Sequence, residues 1–190
     1  MIDDKGLGAR DLSMESHFLA IGFWYRVFGV LTFLSAVFLI SSSMMKGGGM
    51  KAGAGGEFPI VFVLLFSSVL QFSVGHFMAK FSNAARIFCV FALVIALAFT
   101  VWSIVNSDGG LIGIKKVVSI AVPSLLVLFS ISMLYVLSIP RAAKVCRKEY
   151  QELLKKTPEP KTRPSDSPFF WGFAVVVAAG IAGNLILVMK

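Results

Sequence analysis

The sequence contains two histidines and two cysteines, the residue types that could form a haem, zinc or disulfide site. Their spacing decides which of these sites is possible. A haem held between helices needs two histidines at matching depth on facing spans, whereas His17 and His76 both fall near one membrane face in the topology derived below. Cys89 lies in an apolar run and Cys146 beside basic residues, so neither a disulfide framework nor a zinc spacing results. We therefore expect no catalytic, metal or cofactor site.

Polar side chains inside the apolar segments are few. A charge near the centre of a bilayer is costly and usually serves function, yet no Asp or Glu occurs in any apolar segment. The intramembrane polar residues are Gln71, His76 and Asn184. We expect Gln71 and Asn184 to hydrogen-bond between helices and His76 to be an interfacial or packed histidine.

The overall composition is that of a membrane protein. Of the 190 residues, 57% are hydrophobic and 15% are charged, and the mean hydropathy is +0.84, whereas soluble domains average about 25% charged residues. A soluble enzyme or nucleic-acid-binding module is thereby disfavoured, despite the net charge of +8. Because about 20 apolar residues cross a bilayer as a helix, the sequence predicts an all-α integral membrane bundle with five transmembrane helices. They are Val27–Met45, Phe58–Met78, Ile87–Val105, Val117–Ile139 and Phe169–Met189.

An interfacial segment, residues 17–26, precedes the first predicted span. Trp24, Tyr25 and Arg26 would anchor it at the headgroups, as amphipathic and cationic side chains do at span ends. The predicted regions of the chain are a polar cytoplasmic tail (1–16), a four-span bundle (17–139), a basic segment with a proline-rich tether (140–168) and the fifth span (169–190).

Basic residues are distributed unequally between the two sides of this topology. The side that holds the N-terminal tail and the loops after spans two and four has 12 Lys and Arg residues, and the other side has five. Because cytoplasmic loops carry the excess of Lys and Arg, we expect a cytoplasmic N-terminus and an external C-terminus.

The segment after the fourth span, RAAKVCRKEYQELLKK, places Ala143, Cys146, Tyr150 and Leu153 on one face at helical spacing. This pattern predicts an amphipathic cytoplasmic helix whose cations contact anionic lipid headgroups or a partner protein. A solvated helix that extends the fourth span is the alternative. The predicted contact residues are Arg141, Lys144, Arg147, Lys148, Lys155 and Lys156.

Small residues concentrate on the fifth span, where they permit close helix packing. The predicted packing residues are Ala174, Ala178, Ala179, Ala182 and Gly183. They would pack against the other spans or against another subunit, and the sequence leaves both open. Lesser versions of the same pattern are Gly22 with Gly29 and Gly75 with Ala79.

Three stretches of the chain resemble a group of small bacterial multi-span membrane proteins to which no activity is assigned. They are ESHFLAIGFWYRVFG at Glu15–Gly29, an Asn-x-Ala-Arg start to a middle span at Asn83–Arg86, and EYQELLKKTP with a basic, Ser-containing continuation at Glu149–Ser165. The resemblance covers most of the chain and implies a fold, a topology and a location in a bacterial inner (cytoplasmic) membrane. It carries no activity over to any residue.

Together these observations predict a non-catalytic accessory or scaffold subunit of a larger bacterial membrane complex. Its expected partners are the lipid bilayer, with its anionic headgroups, and other membrane subunits or further copies of itself; nucleic acid is not among them. The alternative is a small transporter or channel with a weakly polar pathway around Gln71 and His76. We expect no enzymatic activity, since paired carboxylates and nucleophile motifs are missing from the sequence.

Overall fold

The computed structural model describes residues 11–45, 57–105, 114–157 and 162–188, and within these ranges the chain is helical without strands. Most of the predicted tail, part of the proline-rich tether and the end of the predicted fifth span lie outside the described residues. The helices are α1 (Leu12–Met45), α2 (Glu57–Ala79), α3 (Asn83–Val105), α4 (Ile114–Ser138), α5 (Pro140–Val145), α6 (Lys148–Lys156) and α7 (Pro168–Val188), with a 3-10 turn at Pro164–Asp166.

Three of these helices, α1, α2 and α3, are long and apolar enough to cross a membrane. In α4 and α7 the apolar stretches that can be described are shorter, Pro123–Ser138 and Pro168–Gly183. The prediction of an all-helical protein is confirmed for the described residues, and the three long apolar helices are compatible with a membrane bundle. They indicate a membrane location.

Helix α1 is longer than a bilayer requires. Its 34 residues rise about 51 Å at about 1.5 Å per residue, against about 30 Å of hydrocarbon. The helix is continuous from Leu12, so residues 17–26 share one helix with the first predicted span. Met14, Glu15 and Ser16, at the end of the predicted tail, are buried. The first turns of α1 therefore belong to the protein interior.

Helices α1 and α2 form an antiparallel hairpin that the other helices flank. Gly22 of α1 meets Gly75 of α2, and Gly29 meets Ser68, so the two chain directions are opposed. Helix α3 packs on α4 and also contacts α2, while α7 lies against both α4 and α1. Helix α3 thus flanks the hairpin at α2 and α7 flanks it at α1, while α4 lies against both α3 and α7.

Two glycines allow α1 and α2 to approach each other backbone to backbone. A Cβ atom at Gly75 would lie 2.6 Å from the carbonyl oxygen of Gly22 and 2.8 Å from Cγ of Arg26. A Cβ atom at Gly22 would lie 2.7 Å from the carbonyl oxygen of Gly75. Small residues at helix crossings are what permits such contact in membranes, and here hydrogen is the largest side chain that fits without a shift.

The buried core is concentrated at one end of the bundle. It is built from the first turns of α1, the end of α2, the start of α3 and the end of α4, together with α5 and α6. Phe18, Met78 and Leu137 in this region are fully buried. Toward the other end, Phe38 and Phe99 are 71% and 67% exposed. The well-packed end is the one that positions the candidate site.

Candidate functional site: a basic cap on the bundle

The basic segment forms two short helices, α5 and α6, and we call residues 140–156 the cap. Helix α4 ends at Ser138, and Ile139 is extended (φ −67°, ψ 152°) ahead of Pro140, as residues before proline usually are. Arg147 is also extended (φ −77°, ψ 152°) and separates α5 from α6. The prediction of one continuous helix was wrong, and so was the alternative of a helix that extends the fourth span.

The break at Arg147 changes which side chains face inward. The buried residues of the cap are Ala142, Val145, Cys146 and Tyr150. Ala143 and Leu153, which the helical spacing placed on the same apolar face, are only half-buried. Two short helices with different orientations therefore bury a different set of residues from one straight helix.

Tyr150 joins the cap to the first turns of α1 in a group of four residues that we call the Glu15 cluster: Asp11, Glu15, Tyr150 and Thr162. The phenol oxygen of Tyr150 accepts a hydrogen bond from the backbone N–H of Asp11 at 2.6 Å, and its O–H donates to Oε1 of Glu15 at 2.7 Å. The hydroxyl of Thr162 donates to Oε2 of Glu15 at 2.8 Å. Glu15 is 1% exposed and Tyr150 is fully buried. Both carboxyl oxygens are thus bonded by residues far away in sequence.

The protonation of Tyr150 suits this role. Burial raises the pKa of Tyr150 above its ordinary value of 10.0, and the hydrogen bond to Glu15 raises it further. The phenol therefore keeps its proton at neutral pH and remains a donor to the carboxyl group. Because a buried carboxyl group that lacks donors is costly, the Glu15 cluster favours the docked position of the cap.

The start of α7 and the residue before it are fastened to α1 by two further contacts. Nδ1 of His17 lies 2.8 Å from Oγ of Ser167, a residue that is 1% exposed. The indole Nε1 of Trp24 donates to the carbonyl oxygen of Phe170 at 3.1 Å. Ser167 and the first turn of α7 therefore lie against α1 and are held there.

Trp24, Tyr25 and Arg26, the predicted interfacial anchor, make contacts within the protein. The ring of Trp24 stacks on Phe173 of α7 with 5.8 Å between ring centroids. The side chain of Tyr25 packs against the buried core that includes Cys89 of α3. Nε of Arg26 donates to a main-chain carbonyl one turn earlier in α1, at 3.1 Å. Trp24 and Tyr25 thus join α1 to α7 and α3, while their position at the headgroups stays a prediction.

Arg86 ties the start of α3 to the end of α4. Its Nε donates to Oδ1 of Asn83 at 3.0 Å, and its Nη1 donates to the carbonyl oxygen of Leu137 at 3.1 Å. Since the last carbonyls of a helix have no partner within it, Arg86 satisfies one such group of α4. From the cap, Nε2 of Gln151 donates to the carbonyl oxygen of Phe81 at 3.3 Å, in the turn before α3.

The predicted contact cations lie mostly on the outer surface of the cap. Arg141, Arg147, Lys148, Lys155 and Lys156 are exposed, and Lys144 is half-buried. The helices that carry them are held from beneath by the buried residues of the cap and by the Glu15 cluster. The cap therefore presents an ordered array of positive charge at the well-packed end of the bundle.

Gln71 and His76, two of the three predicted intramembrane polar residues, contact different neighbours and not each other. The hydroxyl of Thr32 on α1 donates to Oε1 of Gln71 at 3.2 Å, which is a cross-helix bond of the kind expected for this amide. His76 is exposed, and its ring meets that of Phe77 edge to face with 5.7 Å between centroids. Asn184 belongs to α7, but its side chain lies outside the described part of the structure.

The small residues of α7 do not form a single packed face. Gly183 is buried, Ala174 and Ala179 are half-buried, and Ala178 and Ala182 are exposed. Helix α7 has a tight contact at another glycine, because a Cβ atom at Gly172 would lie 2.7 Å from Cε2 of Phe129 on α4. The backbones of Gly22 and Gly75 meet closely between α1 and α2. The sequence indicated these two glycines only in separate lesser patterns, Gly22 with Gly29 and Gly75 with Ala79, and did not pair them.

Three residues that hold the cap in place, Glu15, Thr162 and Ser167, were not singled out from the sequence. Glu15 was assigned to the polar tail, and Thr162 and Ser167 to the tether. A signal for Glu15 does exist, because it directly precedes an apolar helical run and an acidic residue there needs donors if it is buried. No comparable signal marks Thr162 or Ser167.

Both cysteines are free and buried, with Cys89 fully covered and Cys146 7% exposed. Burial raises the pKa of Cys146 to about 11, against the opposing effect of Arg86, and a protonated thiol is a poor nucleophile. We expect iodoacetamide at neutral pH to leave both thiols of the native protein unmodified over a time in which free cysteine reacts fully. After denaturation in hot SDS, both should react, as counted by mass spectrometry. Fast labelling of native Cys146 would contradict the docked position of the cap.

The comparisons with known proteins add no family to this description. A scan against protein-family models finds no match, and searches of curated proteins and of solved structures find no significant similarity. The resemblance drawn from the sequence therefore stays a prediction. Within the described residues, no group of three His, Cys, Asp or Glu side chains is placed to hold a metal ion.

Proposed function

We propose that this chain is a non-catalytic accessory or scaffold subunit of a bacterial membrane complex, which acts by contact through the cap and the outer faces of its helices. The observation that supports this function is the order of the cap. Its cations are exposed, while its inner face is bonded to α1 through Tyr150 and Glu15. A surface that is ordered before binding loses less conformational entropy on association than a flexible tail does.

The proposed topology has five spans in a bacterial inner membrane. Helices α4 and α7 have 25 and 21 residues, so each is about 30 Å long or more at about 1.5 Å per residue, which matches a hydrocarbon thickness of about 30 Å. The side of the cap carries 12 of the 18 Lys and Arg residues, and this bias favours a cytoplasmic cap and N-terminus. Helix α7 would then carry the C-terminus outside.

The proposed partners are anionic headgroups and other membrane subunits or further copies of this chain. Cations at the cytoplasmic surface are attracted to anionic lipid and to acidic protein surfaces. Within the membrane, Phe66 and Phe99 are 63% and 67% exposed, and these faces would meet lipid tails or another subunit. The exposed Ala178 and Ala182 would permit close approach of a neighbouring helix.

A mild-detergent pulldown of the tagged protein at its native level tests this function, with mass spectrometry and native mass as readouts. We expect a complex of fixed stoichiometry with another membrane protein or with further copies. Replacing Lys155 and Lys156 of the cap by glutamine should reduce the retained partner about thirtyfold, because each cation near a charged surface contributes about 1 kcal/mol. The matched control replaces Lys115 and Lys116, which the topology puts on the opposite side.

The outcome that would refute the proposal is equally definite. A protein that stays monomeric in every mild detergent, at every concentration, does not act as a subunit. If the variant at Lys155 and Lys156 retains the partner as well as the control variant at Lys115 and Lys116 does, the cap is not the contact surface.

A further inference from the structure

A groove opens between the start of α3 and the junction of α5 and α6. It encloses about 530 Å³, and its polar lining consists of Asn83, Arg86, Cys146, Arg147, Lys148 and Glu149. Three of these side chains are cations and one is a carboxylate. The groove is therefore positive overall, and Glu149 reduces that excess without cancelling it.

Arg86 gives the groove a fixed cationic wall. The bonds of its guanidinium to Asn83 and Leu137 use two of the five N–H groups that an arginine side chain carries. A guanidinium held in this way is oriented before any ligand arrives, and its planar set of donors matches the oxygens of a phosphate group. Arg147 and Lys148 line the same groove from the cap and are exposed.

The backbone adds to the positive potential. Helix α3 begins at Asn83 and the nine-residue helix α6 begins at Lys148, and both of these residues line the groove. The first N–H groups of a helix have no partner within it, and this end of the helix dipole is positive. The N-termini of two helices and three cationic side chains thus all contribute positive potential to the groove.

The surroundings of the groove favour a lipid over a free ion. The groove lies where α3 begins and close to the end of α4, which Arg86 contacts at Leu137. Along α3, Ile87 and Phe88 follow at once and are 45% and 39% exposed. A charged groove next to exposed apolar positions of the same helix has the layout of a phospholipid, with its phosphate beside its acyl chains. Basic pockets at the ends of spans on the cytoplasmic side are where anionic headgroups bind.

We propose that this groove binds the phosphate of an anionic phospholipid, with the acyl chains lying along α3. The assignment rests on the proposed topology, which places the groove at the cytoplasmic headgroups. It names a discrete lipid site, distinct from the general attraction of the remaining cations of the cap for a charged surface.

Native mass spectrometry of the full-length protein in mild detergent tests the site, with phosphatidylglycerol and phosphatidylcholine of identical acyl chains as probes. We expect the wild-type protein to retain one phosphatidylglycerol in preference to phosphatidylcholine. Replacing Arg147 and Lys148 by glutamine should weaken that retention about thirtyfold. Replacing Lys155 and Lys156 by glutamine is the matched control, because it removes the same charge from exposed positions on the same helix and lies outside the groove; a change below about twofold is expected.

Three results would overturn the site. Equal losses from the two double variants would show diffuse surface attraction only. Equal retention of the two lipids by the wild-type protein would show no recognition of the anionic headgroup. Displacement of phosphatidylglycerol by an equal concentration of inorganic phosphate would show that the acyl chains are not part of the ligand. If the protein shows no lipid preference but still forms a protein complex, the lipid site alone is contradicted. If it prefers phosphatidylglycerol but forms no protein complex, the subunit function alone is contradicted.

Discussion

Replacing Tyr150 by phenylalanine is expected to loosen the cap and to lower the free energy of unfolding by about 2 kcal/mol. The substitution keeps the buried ring and removes the oxygen that accepts from Asp11 and donates to Glu15. Because Glu15 is 1% exposed, water does not replace the lost donor, and the cost is that of a buried polar group with fewer partners. Hydrogen exchange of the α6 amides and reversible unfolding in mixed micelles with SDS measure the two effects.

Tyr135→Phe is the matched control for this experiment. Tyr135 lies on α4 and is 70% exposed, so removal of its hydroxyl should change the free energy of unfolding by less than about 0.5 kcal/mol. If the two Tyr-to-Phe variants exchange and unfold alike, the bond between Tyr150 and Glu15 does not hold the cap.

The same variants isolate a pH dependence. Burial raises the pKa of Tyr150 above 10.0 in the folded protein, so above pH 10 the unfolded chain loses this proton before the folded chain does. The unfolded state then binds fewer protons, and the contribution of Tyr150 to stability falls as the pH rises. Since Tyr150→Phe has no such group, the difference in stability between wild type and variant should narrow above pH 10.

Replacing Gly75 by alanine is expected to destabilise the hairpin of α1 and α2 by about 2 kcal/mol. The new Cβ atom would lie 2.6 Å from the carbonyl oxygen of Gly22 and 2.9 Å from the backbone nitrogen of Arg26. Both of these atoms belong to the main chain, so no side-chain rotation relieves the contact and the two helices must separate. The separation also loosens the contact of Gly29 with Ser68 farther along the hairpin. A lower Tm in detergent reports the change.

Gly180→Ala serves as the control because it makes the same substitution inside another apolar helix. In the part of the chain that the structure describes, no atom outside the neighbouring backbone of α7 lies within 4 Å of a Cβ at Gly180. Alanine is favoured over glycine in helices by about 1 kcal/mol, so this variant should be as stable as the wild type or slightly more stable. Equal Tm losses at the two positions would mean that the Gly22–Gly75 contact does not determine how closely α1 and α2 pack.

The apolar helices could be predicted closely from the sequence. The second span was expected at 58–78 and lies within α2, Glu57–Ala79, and the third was expected at 87–105 and lies within α3, Asn83–Val105. Backbone N–H and C=O groups in a bilayer must find partners inside their own segment. A long apolar run therefore forms a helix. Length and composition are sufficient information for that inference.

The cap could be predicted only in part, because long-range contacts fix it. Pro140 marks the end of α4, but neither glycine nor proline accompanies the extended Arg147 that divides α5 from α6. The bond between Tyr150 and Glu15 joins residues 135 positions apart, and no local pattern contains such a pair. Glu15 was therefore assigned to a polar tail, although its side chain is buried.

The separation of Glu15 from Tyr150 also sets an order of events while the chain is being made. Ribosomes add about 5–20 residues per second, so on the order of ten seconds pass between the synthesis of Glu15 and that of Tyr150, 135 residues later. During that interval the carboxyl group of Glu15 has not met the phenol that bonds it. A nascent chain cut short before residue 150 never covers the first turns of α1 in this way. Their burial in this form thus depends on translation having passed residue 150.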